Sequence, residues 1–167
     1  MMDLNDKLLD DFKQLITNAT EEESLVLAQV VQGIRQKREG KYRTYIMSFM
    51  QSTTKHEGDE LLMTIPLHPI LHNSVEIVHG GLSATLADTA MGTLVNERIL
   101  DTQVAVTSEI KMNYTAPGVG NFLTCSASIL HLGSKTSVTE AKIYNDEGVL
   151  VAVATGSFFI IKRPKRT

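Results

Sequence analysis

Cysteine occurs once in this chain, at Cys125, and tryptophan does not occur. A single thiol excludes an intrachain disulfide and a cysteine-rich metal centre, and it suits a reducing compartment. Cys125 shares a strand-like face with Leu123, Ala127 and Ile129, which predicts a buried, inert thiol; a nucleophile needs an electropositive, partly open setting. Aromatic residues make up only 5% of the chain, so nothing marks an aryl-stacking surface. Long apolar runs are missing too. Val149 to Ala154 is among the longest, far short of the roughly 20 residues that span a membrane. Met1 to Leu15 is charged rather than signal-like, and a soluble, cytoplasmic protein is expected. Neither charge sign dominates: sixteen basic and nineteen acidic residues leave a net charge of -3, with no sequence-wide pull toward nucleic acid or an anionic membrane. His68 and His72 have no carboxylate or cysteine partners at a recognised spacing, so no metal site is expected.

What is present fits one core. A chain of 167 residues with 43% hydrophobic content can bury one good core but hardly two. Leu4, Leu8, Phe12 and Leu15 recur at helical spacing, and after a break at Asn18 a second helix is marked by Leu27, Val30, Val31 and Ile34. Thr20 with Glu23 has the form of a capping box. These helices, residues 1–40, read as an extension that packs on the body or on a partner subunit. A basic recognition face is missing, which argues against a DNA-binding helix pair.

From residue 41 to 162 the pattern predicts a second, larger region, followed by a short basic tail at 163–167. Tyr42 to Met50 and Glu60 to Pro66 read as strands of a hairpin separated by the polar Gln51 to Asp59. Next, Leu82, Leu86, Ala90 and Leu94 recur every four residues, which makes His79 to Ile99 a helix apolar nearly all round. Val104 to Tyr114, Phe122 to His131, Thr136 to Tyr144 and Val149 to Ile161 then read as a four-stranded meander cut by Gly- and Pro-containing turns. A helix of that kind must be buried, and an antiparallel sheet curled around it is the economical solution. The predicted class is α+β.

Asp88 is out of place in the central helix, as the one charged side chain between Glu76 and Glu97. Burying a carboxylate is costly unless it is paired or used. Either it is satisfied by a nearby hydroxyl such as Thr85 or Thr89, or faces solvent, or it does chemistry, and the small Gly81, Ala84 and Gly92 leave room for something to approach. At the helix start, Gly80 and Gly81 leave backbone N–H groups unshielded at the positive end of the helix dipole, where an oxyanion would be stabilised. A glycine-rich turn into a helix is the plainer alternative. His79 could orient this loop or cap the helix. Gly80 and Asp88 lie eight residues apart, about 12 Å along a helix, so one small carbonyl can scarcely meet both. If both act on one carbonyl group, two subunits would share the site across a two-fold axis.

The run Asn73-Ser74-Val75-Glu76-Ile77-Val78-His79-Gly80-Gly81-Leu82-Ser83-Ala84-Thr85-Leu86-Ala87-Asp88 through Gly92 resembles the signature of PaaI-like hotdog thioesterases. Thr107, the stretch Met112 to Pro117, Gly133-Ser134-Lys135-Thr136 and Asp146 to Ala152 extend the likeness over about Tyr42 to Ile161. The resemblance implies a hotdog fold and hydrolysis of an acyl-CoA, with the Gly80 amide polarising the thioester carbonyl and Asp88 as general base or nucleophile. Asn73 and His79 match positions that assist near the carbonyl, and Thr107 matches a hydroxyl that positions water or the carboxylate, though an ordinary strand threonine is the alternative. Gly81 and the loop Gly133, Ser134, Lys135 and Thr136 would contact substrate. Of that loop only Lys135 carries charge for the CoA phosphates, and Arg98, Lys162 and Arg163 are further candidates. The implied enzyme needs no cofactor, takes CoA thioester as substrate, and forms a homodimer that pairs into a dimer of dimers. The competing readings are a non-catalytic acyl-CoA-binding regulatory module and, behind it, a hotdog dehydratase or hydratase.

Overall fold

A computed structural model describes residues 3–164 of the chain. The chain divides into two compact units that meet in sequence between Gln51 and Ser52.

The first unit is helical: α1 (Leu4–Thr17), α2 (Glu21–Arg38) and α3 (Tyr45–Phe49). The break between α1 and α2 is chemically encoded. Thr20 Oγ1 accepts from the Glu23 N–H at 3.2 Å and Glu23 Oε2 accepts from the Thr20 N–H at 2.8 Å, so two otherwise orphaned donors are satisfied as the helix begins. Acidic Glu21 to Glu23 at the start of α2 and Arg35, Lys37 and Arg38 at its end complement the helix dipole. The expected strand Tyr42–Met50 is instead the short helix α3. Thr44 caps it, accepting from the Met47 N–H at 3.3 Å, and the buried Ser48 hydroxyl donates to the Gly33 carbonyl. A side chain at residue 33 would collide with the Phe49 ring, so Gly33 lets α3 lie against α2. No residue of α1 is buried.

The second unit is one six-stranded antiparallel sheet and one long helix: β1 (Thr53–Glu57), β2 (Glu60–Pro66), α4 (Gly80–Arg98), β3 (Gln103–Tyr114), β4 (Phe122–Leu132), β5 (Thr136–Asn145) and β6 (Leu150–Lys162). The sheet order is β1-β2-β4-β5-β6-β3. The hairpin partner of β2 is therefore Thr53–Glu57, inside the segment expected as its polar loop, and every residue of this strand is exposed. An edge strand wet on both faces carries no apolar alternation to betray it. The four later strands occur where the pattern placed them, but only β4, β5 and β6 form a meander; β3 crosses to the far edge and pairs with β6.

Alternation on the sheet and four-residue recurrence on α4 meet in the core. Leu61, Met63 and Ile65 of β2, Leu123, Cys125 and Ala127 of β4, and Ala141 and Ile143 of β5 are buried, as are Leu86, Ala87, Ala90, Met91, Leu94 and Val95 of α4. Helix and sheet approach closely where glycine allows it: Gly156 lies under the Met91 side chain and Gly92 beside the Phe158 ring. Truncating a buried leucine such as Leu94 in packing of this kind costs about 2–5 kcal/mol. Gly81, Thr85 and Asp88 of α4 remain partly open. Among the described residues no helix is long and apolar enough to cross a membrane. Of the expected tail, Lys165 to Thr167 lie outside the described residues; Arg163 is tied to the body by its N–H to the Thr102 carbonyl at 2.8 Å.

Candidate active site

The loop entering α4 is held by its own polar groups. Asn73 Oδ1 accepts from the N–H of Val75 at 3.0 Å and of Ile77 at 3.4 Å, and the Asn73 N–H donates to the Ile77 carbonyl at 2.8 Å. Asparagine favours such local bonds, and the turn it closes carries Glu76 at φ 59. The side-chain oxygen of Asn73 thus shapes the approach to the helix.

His79 is the residue that caps α4. Its Nδ1 accepts from the Gly81 N–H at 3.0 Å, its carbonyl accepts from Leu82 at 2.8 Å and Ser83 at 3.2 Å, and its own N–H donates to the Leu71 carbonyl at 2.9 Å. A side chain on Gly81 would crowd Nδ1 at 3.2 Å. The Gly81 N–H is therefore spoken for. The Gly80 N–H belongs to the first residue of the helix and has no acceptor among the described residues, which leaves it to stabilise developing negative charge at the positive end of the dipole. On the carbonyl side of Gly80, the Tyr114 hydroxyl donates to Gly80 O at 2.6 Å.

Two turns further along α4, Asp88 is half-buried. Its partner is neither Thr85 nor Thr89. Thr85 donates to the Gly81 carbonyl, and Thr107 Oγ1 donates to Asp88 Oδ1 at 2.7 Å. A β-bulge makes this contact and the Tyr114 contact possible together. Thr107 lies opposite Phe158, and Glu109 opposite Ser157, so Ser108 is the extra residue. In a regular strand, residues seven apart face opposite sides. The bulge reverses the parity, so Thr107, opposite the buried Phe158, and Tyr114, opposite the buried Ala152, both face α4.

Gly80 and Asp88 stay apart, since one continuous helix carries both. Gly133 to Thr136 forms the β4–β5 turn, in which the Gly133 N–H donates to the Thr136 carbonyl and the Lys135 carbonyl accepts from Ile160. Thr136 is in register with Phe159, and Phe159 with Val106, so this turn sits toward the Asp88 end of the unit. Lys135 is exposed, and its ammonium has no partner among the described residues. Arg98 faces Asp59 at 3.5 Å and the Arg163 guanidinium donates to the Asp101 carbonyl at 2.9 Å, so both already have company. Burial pushes the Cys125 thiol up to about 12, which excludes it as a nucleophile. No cluster of three or more metal-ligating side chains occurs among the described residues.

Sequence reasoning did not single out Tyr114. An aromatic at the end of a strand ahead of Thr115-Ala116-Pro117 was the available signal, but counting by two from Thr107 puts it on the wrong face.

A family model described as "Thioesterase superfamily" matches residues 76–152. The crystal structure of a Bacillus halodurans protein with CoA superposes with a TM-score of 0.84 at 42% identity, covering 92% of this chain and 99% of that one. A Halobacterium salinarum protein with a provisional esterase designation is 31% identical over 129 residues, 70% of this chain and 85% of its own length. The acyl-coenzyme A thioesterase PaaI of Escherichia coli is 31% identical over 96 residues, 57% of this chain and 66% of its own length.

Proposed function

Because this chain belongs to the thioesterase superfamily and is a PaaI-like hotdog thioester hydrolase, we propose that it cleaves acyl-CoA to free acid and CoA at a site that two copies complete. The observation that carries the reading is the pairing of Asp88 with Thr107 at 2.7 Å on the helix whose first N–H, that of Gly80, has no acceptor among the described residues.

One Asp88 oxygen accepts the Thr107 hydroxyl; the other is left to accept a proton from water. Asp88 acts as general base: water oxygen attacks the thioester carbon as its proton passes to Asp88. The carbonyl oxygen gains the negative charge and is met by the Gly80 N–H, whose contribution is about 10²-fold or more. Collapse of the tetrahedral intermediate breaks the carbon–sulfur bond, and the CoA thiolate leaves and takes up the proton. Attack by the Asp88 carboxylate itself, giving an anhydride that water then opens, needs the same groups. His79 and Asn73 hold the loop that presents Gly80. These steps call for no cofactor.

Separation along α4 is what requires the second copy. Two antiparallel α4 helices about a two-fold axis bring Gly80 of one against Asp88 of the other. β3 is the 12-residue edge strand, and an exposed edge of that length is a template for pairing. The outer sheet face, with Val106, Phe159 and Ile161 exposed, would serve dimer-to-dimer packing. Lys135 and its turn would take the CoA phosphates. The region 41–162 is assigned the catalytic work, the helices before it a role outside the chemistry, and the cytoplasm is the proposed setting.

Release of free thiol from short, medium, long and aryl acyl-CoAs tests the assignment. Asp88→Asn should lower turnover by about a hundredfold or more on every substrate that the native protein cleaves, with fold and oligomer retained. Unchanged release would sink it, and tight acyl-CoA binding without release by the native protein would replace it with a binding module.

A further inference from the structure

Gly80 is the residue whose orientation the proposed chemistry can least tolerate losing, and it is a glycine, with no Cβ to limit its backbone. Its two flanking peptide planes are nevertheless both tied. The plane ahead of it, which carries the Gly80 N–H, is anchored through the His79 carbonyl, which accepts from Leu82 and Ser83. The plane after it is anchored at both ends: the Tyr114 hydroxyl donates to the Gly80 carbonyl at 2.6 Å, and the Gly81 N–H donates to His79 Nδ1 at 3.0 Å. Tyr114 also takes the space a side chain would use, since a Cβ on Gly80 would lie 3.3 Å from its Cζ and its hydroxyl oxygen.

We propose that Tyr114 is a positioning residue for the oxyanion donor: its hydroxyl and ring lock Gly80 so that the Gly80 N–H points where the thioester carbonyl will develop charge. The proposal rests on the hydrolytic reading above and deepens it. The hydrogen bonds run in a chain, from the Tyr114 hydroxyl through the Gly80–Gly81 peptide to the His79 ring, and each donation into an amide carbonyl strengthens that amide's own N–H as a donor. Tyr114 thereby also firms the His79 cap without touching it. Its place is built in by the Ser108 bulge, without which Tyr114 would turn to the outer face of the sheet.

Tyr114→Phe removes the bond and keeps the ring. The expected result is a fall in kcat of about three- to tenfold, the range one neutral hydrogen bond supports, with KM within about twofold of the native value and an unchanged melting temperature and oligomeric state. Amide hydrogen exchange at Gly81, whose N–H donates to His79 Nδ1 within the peptide that Tyr114 holds, followed by NMR, should quicken in the same variant. Native kcat overturns the proposal. So does a fall in kcat that comes with a matching loss of melting temperature, or one that appears in KM alone. Exchange at Gly81 needs no turnover, so the two readings fail separately. If Asp88→Asn keeps native thiol release, the hydrolytic reading goes and Tyr114 is judged on exchange; if Asp88→Asn is dead and Tyr114→Phe matches the native protein in both readouts, Tyr114 alone is refuted.

Discussion

Replacing Gly80 with proline deletes one hydrogen-bond donor at a helix position that accepts the ring, for reasons visible in the backbone. Gly80 opens α4, where the N–H has no intrahelical acceptor and proline is favoured. His79 sits at φ -59 and ψ 129, the extended conformation a residue before proline prefers. The new Cβ lies 3.3 Å from the Tyr114 Cζ and hydroxyl oxygen, so Tyr114 must move by a few tenths of an ångström. Loss of a single oxyanion donor should then lower kcat by about 10²- to 10³-fold. Complementation turns this into a test of the shared site. In a mixed dimer of Gly80→Pro and Asp88→Asn chains, one of the two sites receives the intact Gly80 from one chain and the intact Asp88 from the other, while its twin receives both lesions. Random assortment of equal amounts makes about half the dimers mixed, so the mixture should regain about a quarter of native specific activity. The chains would be co-expressed with two different affinity tags and the mixed dimer purified through both; thiol release from the best acyl-CoA is then measured. Mixed dimers with no more activity than the two parents would refute the shared site, because a site built from one chain gains nothing from mixing.

Two further outcomes follow from buried and turn groups. Cys125, fully buried and pushed up to about 12, should resist iodoacetamide at pH 8 in the folded protein and react once denaturant unfolds it; rapid labelling of the native protein would contradict its place in the core. Asp146 is held below the usual carboxylate range first by the Asn121 backbone N–H and then by the Asn121 side chain. A carboxylate lowered in the folded state contributes stability above its unfolded value, about pH 4, and loses it as pH falls through the lower folded value. The melting-temperature gap between native protein and Asp146→Asn should therefore hold steady from pH 5 to 7 and close below about pH 4. A gap that ignores pH across that span would show that the charge plays no part.

Local signals made the helices readable and non-local pairing hid much of the sheet. The Thr20–Glu23 box and the four-residue recurrence from Leu82 to Leu94 are each complete within a short stretch of chain, and both elements formed within a residue or two of the expected bounds. Tyr42 to Met50 reads as a strand because it is rich in aromatic and β-branched residues, whereas Thr44 as a cap and Gly33 as a seat for Phe49 make it a helix. β1 escaped notice because Thr53 to Glu57 is polar and exposed throughout. No local pattern could place β3 beside β6 rather than β4, since that choice is made by packing around α4. Asp88 stood out as a lone carboxylate in an apolar helix, yet nothing in composition or spacing links it to Thr107 nineteen residues on; only the family resemblance suggested that position.

The bulge at Ser108 ties these observations together. β3 has to serve two ends of α4 at once, holding Asp88 through Thr107 and Gly80 through Tyr114. Along the strand the two residues are roughly 20 Å apart, whereas their targets are separated by about 12 Å of helix. The mismatch explains the choice of side chains: a short threonine lies close to its carboxylate, and a long tyrosine reaches back toward the helix start. Parity explains the bulge, for without the extra residue one of the two would face away. Under the shared-site reading, the same strand is the edge along which a second copy adds. Each β3 then orients the Asp88 of one site and the Gly80 of the other, so a shift in the pairing of the two edges would misplace both halves of both sites together. On that reading assembly and catalysis are coupled through a single strand, and the pair is the functional unit we propose.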